Sequence, residues 1–308
     1  MWGHFLLSAY EMKAVAYYLA LPFLYLISLL PFWCLYLLSD LLFFMVYRVI
    51  GYRKKVVFSN LKNSFPEKSQ AQLLHIQTRF YRFFFDLVVE TLKTLTISPR
   101  VLLKRVSFED TSVFQKYYNQ GQSIIIVMGH YGNWELGGAR FALEPLHKLY
   151  VVYHPLSNKY FDQLIYKMRT RLGNGLYSMK GTLRGMVGNR KELTATAFIA
   201  DQTPSPKGAY WMNFLNQDTP VFQGTGRIAN KLKYPVVYAT VNREKRGRYH
   251  VILEDLCPNP EALEPEEIVA RFTQRLEQDI RQKPEIWLWT HRRWKHKRKP
   301  QTKAQPDA

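Results

Sequence analysis

The sequence predicts an α/β protein with a mostly parallel central sheet flanked by helices, preceded by an N-terminal membrane-anchoring helical segment. Three observations carry this reading. The beginning of the chain is almost uninterruptedly apolar, short β-branched runs recur through the remainder, and helical periodicities lie between several of those runs. The implied organisation is an anchor over residues 1–50, one α/β domain over 51–298 and a polar tail over 299–308.

The anchor comes first. From Ala14 to Tyr47 the only charged residue is Asp40, and this stretch is longer than the roughly 20 residues that cross a hydrocarbon core. Pro22 and Pro31 interrupt it, which leaves open a tilted span, a kinked span or a helix pair dipping into one leaflet. A cleaved secretory signal is disfavoured, because the apolar part is too long and no small-residue cleavage site follows. Arg48, Arg53, Lys54 and Lys55 stand just after it and, by the positive-inside rule, place the rest of the chain in the cytoplasm. Cys34 and Cys257 are isolated from each other, so no disulfide framework is evident and a reducing compartment suits the chain.

Residues 69–95 have helical spacing, with Ser69 as a cap. Strands are expected at 123–128, 149–153, 194–200, 235–241 and 249–253, and helices at 134–143, 158–172 and 226–233. Strand followed by helix, repeated, is the pattern of a parallel sheet. The tail carries Pro300 and Pro306 among polar residues and is expected to be disordered.

The net charge of +19, from 43 Lys plus Arg against 24 Asp plus Glu, calls for an anionic partner. Nucleic acid is argued against, because the cations are scattered apart from 292-RRWKHKRK-299 and no zinc-finger or RNA-recognition signature appears. An anionic lipid surface beside an apolar anchor fits better.

The chemistry concentrates at strand ends, where open α/β sheets place their ligands. The run IIIVM ends at Gly129-His130, and Asn133 can cap a helix that carries Glu135 in its first turn. A carboxylate there can fix the imidazole tautomer and leave the other nitrogen as general base. Taken alone, such a pair is more often a turn histidine beside a surface glutamate. No metal is expected, since the spacing is not H-E-x-x-H and no Cys/His cluster lies nearby. Asp201-Gln202 ends a second expected strand, and two polar strand ends suggest one shared pocket.

With these residues in view, the chain resembles the bacterial lipid A biosynthesis (lauroyl/myristoyl-type) acyltransferase family, within the lysophospholipid acyltransferase superfamily. The resemblance lies in 53-RKKVVFSNLKNSFPE-67, the H-x₄-E stretch MGHYGNWELGG, YHPLSN at 153–158, Asp201-Gln202, GTGRIANKLKYPVV at 224–237 and 284-PEIWLWTHRRWKHK-297. It implies transfer of a fatty acyl chain from an acyl carrier protein to a hydroxyl of a lipid A precursor, at the inner membrane with the catalytic domain facing the cytoplasm. It implies His130 as general base and Glu135 as its orienting and charge-stabilising partner. Asn133, His154, Asp201, Gln202, Arg292 and Arg293 would bind substrate. No cofactor is required, because a thioester is already activated. Where the family typically has Y-R-P, this chain has Tyr153-His154-Pro155. That departure bears on the acceptor, leaving another glycolipid or an aminolipid as the alternative, and Arg169 or Arg171 is the cation placed to compensate. A non-catalytic membrane-bound homologue is the remaining reading. The C-terminal basic run is expected to meet an acidic carrier protein or lipid phosphates.

Overall fold

Pro31 removes a backbone donor where one long helix would otherwise run on, so the opening apolar stretch folds as two. In the computed structural model, which describes residues 9–206 and 209–298, α1 (Ala9–Leu29) ends before this proline and α2 (Phe32–Leu42) starts after it. α2 continues directly into a π-helical stretch, Phe43–Ile50, closed by Gly51 at φ +73°. Phe32–Ile50 is the one helix among the described residues long and apolar enough to cross a membrane.

One face of this helix is docked. Phe32, Leu35, Ser39, Phe43 and Tyr47 are buried at helical spacing, against α4 (Gln70–Lys93). As expected, α4 starts at Ser69, in a capping box with Gln72. The two helices run antiparallel, joined along their length by Tyr36 to Glu90 at 2.8 Å, Ser39 to Asp86 at 2.7 Å and Tyr47 to Thr78 at 3.1 Å. The opposite face leaves Trp33, Leu37, Leu41 and Phe44 exposed.

The next helices are α3 (Lys54–Ser64), which precedes α4, then α5 (Pro99–Leu103) and α6 (Ser112–Asn119). The sheet contains β1 (Val106–Phe108), β2 (Ile124–Met128), β3 (Lys148–Tyr153), β4 (Gly175–Ser178), β5 (Thr194–Ile199), β8 (Val236–Lys245) and β9 (Arg248–Cys257). Their order is β1-β9-β8-β2-β5-β3-β4, parallel throughout except for the β8–β9 hairpin. A small antiparallel hairpin, β6 (Tyr210–Phe214) with β7 (Gln217–Val221), stands apart. Crossovers are made by α7 (Trp134–Phe141), α8 (Lys159–Thr170), α9 (Thr182–Gly188) and α10 (Gly224–Leu232), and α11 (Pro265–Gln282) follows β9. Every residue of β2 is buried, as a strand with both faces covered requires.

The fold class is as the sequence predicts, and the five expected strands are β2, β3, β5, β8 and β9. Helix α11 was not anticipated, although Ile268, Phe272, Leu276 and Ile280 recur every fourth residue and all are buried. The short strands β1 and β4 carry too few residues to show a period. The tail over 299–308 lies outside the described residues.

Asp86 joins the apolar helix to the sheet. It is 2% exposed and accepts hydrogen bonds from Ser39, from Arg243 at 2.7 Å and from Arg246 at 2.7 Å. Removing one partner of a buried ionic group leaves the others uncompensated, at about 3–5 kcal/mol. Asp86→Ala is therefore expected to lower the urea unfolding midpoint strongly in detergent solution, while the exposed Asp40→Ala changes it little.

Candidate active site

His130 and Asp201 meet because of strand register. β2 pairs with β5 in parallel with Met128 opposite Ile199, so continuing each chain two residues past its last paired position brings these two side chains level. The His130 backbone N–H donates to Asp201 Oδ2 at 2.8 Å, and its Nδ1 lies 2.5 Å from Oδ1. The indole N–H of Trp287 donates to Oδ2 at 2.7 Å. Burial alone would raise the Asp201 pKa, but His130 and these hydrogen bonds outweigh it and hold the carboxyl below its ordinary value. With Nδ1–H directed at a carboxylate, the lone pair sits on Nε2, which is 3.2 Å from the Gln202 side-chain amide. Trp134 meets the ring edge to face, with centroids 4.9 Å apart.

The turn after His130 is held from behind. Gly132 has φ +62°, and a Cβ there would lie 1.5 Å from the Val241 carbonyl oxygen, so only glycine fits. Gly132 N–H donates to the Ile286 carbonyl at 2.9 Å, and Leu288 N–H to the His130 carbonyl at 3.1 Å. The closing segment thus zips against the turn. It is fixed in place by Asn60 of α3, which donates to the carbonyls of Trp289 and His291 at 3.0 and 3.1 Å. Two segments that carried the resemblance, far apart in the chain, are in contact here.

A cavity of about 610 Å³ opens from His130 and is walled largely by apolar side chains, among them Trp134, Val151, Met168 and Phe198. Such a volume lies within the ordinary range of small-ligand sites. Glu135, His154, Arg169 and Gln202 share its wall.

Glu135 does not touch His130 as expected. Its carboxylate is forked by Arg169, with Nε to Oε2 at 3.1 Å and Nη2 to Oε1. Placed in the first turn of α7, Glu135 faces α8 beside the cavity, while the strand-end position beside the imidazole belongs to Asp201. Burial works against the charge of Arg169, but Glu135 more than offsets it and keeps the guanidinium pKa raised. Asn133, expected to bind substrate, is wholly buried. Its amide oxygen caps α7 at Leu136 N–H, 2.9 Å, and its amide N–H donates to Glu90 at 2.7 Å. Both halves of the amide are thereby used, and the side chain serves the turn.

His154 lines the cavity with Nδ1 2.9 Å from the Pro155 carbonyl oxygen. Of the two compensating arginines, Arg169 lies at the cavity and Arg171 is tied to the carbonyls of Thr94 and Ile97. Arg292 and Arg293 part company. Arg292 is exposed in a separate groove with Lys55, Lys295 and Lys297. Arg293 is 2% exposed, its Nε and Nη1 lack a partner among the described residues, and burial lowers its pKa to about 10. Nothing local in the sequence marks Trp287 as a donor to Asp201.

The chain matches the profile of the bacterial lipid A biosynthesis acyltransferases over residues 4–296. The chain belongs to that family. It is similar to the lipid A biosynthesis palmitoleoyltransferase of Escherichia coli, 23% identical over 245 residues and 79% of each chain. It is also similar to the lauroyltransferase of that organism, 23% identical over 280 residues and 90% of each chain. A lipid A biosynthesis acyltransferase of Shigella flexneri matches at 23% over 245 residues, 79% of each chain. As a member, this lipid A-type acyltransferase is an enzyme of acyl transfer, and the cavity at His130 is its candidate centre.

One feature of the site makes folding depend on pH. His291 Nε2 accepts from the Thr203 backbone N–H at 3.3 Å, which requires the unprotonated ring. Burial lowers its pKa from 6.5 to about 4, with Asp201 opposing and Arg293 assisting. As pH falls through that window, the unfolded chain takes up a proton that the folded one refuses, so stability declines. The thermal midpoint of the wild type is expected to fall between these pH values, and His291→Gln to flatten that part of the curve.

Proposed function

We propose that this acyltransferase moves a fatty acyl chain from an acyl carrier protein thioester to a hydroxyl of a lipid A precursor, at the cytoplasmic face of the inner membrane. The observation that carries the mechanism is the His130 ring, held at Nδ1 by Asp201 with Nε2 at an apolar cavity. The acceptor hydroxyl takes the place of the Gln202 amide at Nε2 and gives up its proton there. Its oxygen attacks the thioester carbonyl, and the anionic Asp201 stabilises the imidazolium that forms. When the C–S bond breaks, the same proton passes to the leaving thiolate, so ester and free thiol are the products and no acyl-enzyme intervenes.

Glu135 acts through Arg169. The pair fixes a guanidinium on the cavity wall, where it meets an acceptor phosphate or the developing oxyanion. The groove bearing Lys55, Arg292, Lys295 and Lys297 is assigned to the acidic carrier protein. The alternative acceptor, another glycolipid or an aminolipid, is favoured by one observation. His154 places a shorter imidazole, without the fork of a guanidinium, at the cavity where an arginine is typical.

Transfer from acyl carrier protein donors to a tetraacyl lipid A precursor, followed in vitro, tests this reading. His130→Ala is expected to lower kcat by about 10²–10⁴-fold, the usual share of a general base. Asp201→Asn is expected to lower kcat as well, because the imidazolium loses its counter-charge and the ring its orienting carboxylate. Wild-type activity in either variant would reject the mechanism. Unchanged lipid A in a deletion strain would reject the acceptor.

A further inference from the structure

Beyond the N-terminal helices, large apolar side chains lie exposed around the cavity mouth. Leu156 and Met179 line the cavity yet are 47% and 46% exposed, so they form its rim. Helix α9 begins just after Met179. Its Thr182 and Met186, four residues apart, face inward, and Gly185 lies so close to Tyr177 that a Cβ would sit 2.4 Å from the ring. Leu183 and Val187, also four apart, are left exposed on the outward side.

Cations surround this strip. Lys159, Lys180 and Arg184 are exposed, and none makes an ion pair among the described residues. Nearby Asp162 is occupied by the Leu156 backbone N–H at 2.8 Å. An apolar strip edged by free cations is the pattern of a segment seated at an anionic bilayer surface.

The strip adjoins a second apolar surface. Tyr17 of α1 stacks on Tyr160, with centroids 5.5 Å apart, and meets Phe161 edge-on at the start of α8. The exposed Tyr18, Leu19, Phe23 and Leu26 of α1 therefore lie beside the same mouth. Helix Phe32–Ile50 is bound along its length to α4 residues that include the buried, charged Asp86. A helix tied in that way lies along the domain and presents its free face sideways.

We propose that the rim of the cavity, Leu156 with Met179–Val187, is a second membrane contact. It sits in the headgroup layer of an anionic leaflet alongside the N-terminal helices, so that the cavity opens directly into lipid. The inference deepens the reading of a membrane-borne acceptor and rests on it for its purpose, but its test does not depend on acyl transfer.

In a full-length Cys34→Ala/Cys257→Ala background, single cysteines Leu183→Cys and Tyr118→Cys carry an environment-sensitive fluorophore. Tyr118 is exposed on α6, beside β9 near the opposite sheet edge. The protein is reconstituted into phosphatidylcholine vesicles with and without phosphatidylglycerol, each containing a shallow nitroxide-labelled lipid. Quenching at position 183 is expected to exceed that at 118 by at least about two-fold in anionic vesicles, the response of a segment within the headgroup region. Lys180→Glu with Arg184→Glu is expected to reduce that excess. Equal quenching at the two positions would overturn the proposal. So would a blue shift at 183 in detergent that grows with protein concentration without lipid quenching, which would give the face to a second copy of the chain. Quenching as expected together with no acyl transfer would leave the membrane contact standing and reject the reaction assigned above.

Discussion

The parallel pairing of β2 with β5 is the interaction on which the site depends. With Met128 opposite Ile199, the first residues beyond the ladder are carried out of the sheet side by side, and His130 receives two hydrogen-bond partners from one carboxylate. A slip of one residue would turn Asp201 to the other face of its strand and leave a buried carboxylate without its counterpart. Both flanking strands are nearly all buried, so the hydrophobic burial that fixes the register also fixes the chemistry. The closing segment adds the third side, with Trp287 donating to Asp201 and Leu288 to the His130 carbonyl.

A second carboxylate pairing divides the labour of the site. Had Glu135 faced His130, Arg169 would be a partly buried cation in an apolar cavity with nothing to balance it, which is costly. Pairing Glu135 with Arg169 neutralises both, leaves Asp201 to the imidazole and keeps a positive group at the wall. Deeper in the molecule, Glu90 shows how closely the site is tied to the apolar helix Phe32–Ile50. It accepts from Asn133 at the cap of α7, from Tyr36 on the apolar helix and from Tyr249 on β9. Burial raises its pKa against these donors. The turn that carries His130 and the apolar helix therefore share one buried acceptor.

Much of this was legible in the sequence, and what was not has a physical cause. The run IIIVM followed by Gly-His announced a buried strand delivering a polar group, and Ser69 announced the start of α4. Asp201 was legible as a strand-end acid. Its partnership with His130 was not, because register between strands 71 residues apart is decided by the packing of the whole sheet. Glu135 resembles the partner because it is near in sequence, whereas its actual partner Arg169 reaches it from another helix. Helix α11 has a visible period in Ile268, Phe272, Leu276 and Ile280.

The central claim is that Asp201, and not Glu135, holds the proton on Nδ1 and leaves Nε2 of His130 as the base. The most direct measurement is the imidazole ¹⁵N spectrum of histidine-labelled protein in detergent, with His130 assigned by substitution. The account predicts the Nδ1–H tautomer for neutral His130, a marked change in Asp201→Asn and little change in Glu135→Gln. A neutral ring protonated at Nε2, or a spectrum that responds to Glu135 and ignores Asp201, would contradict it.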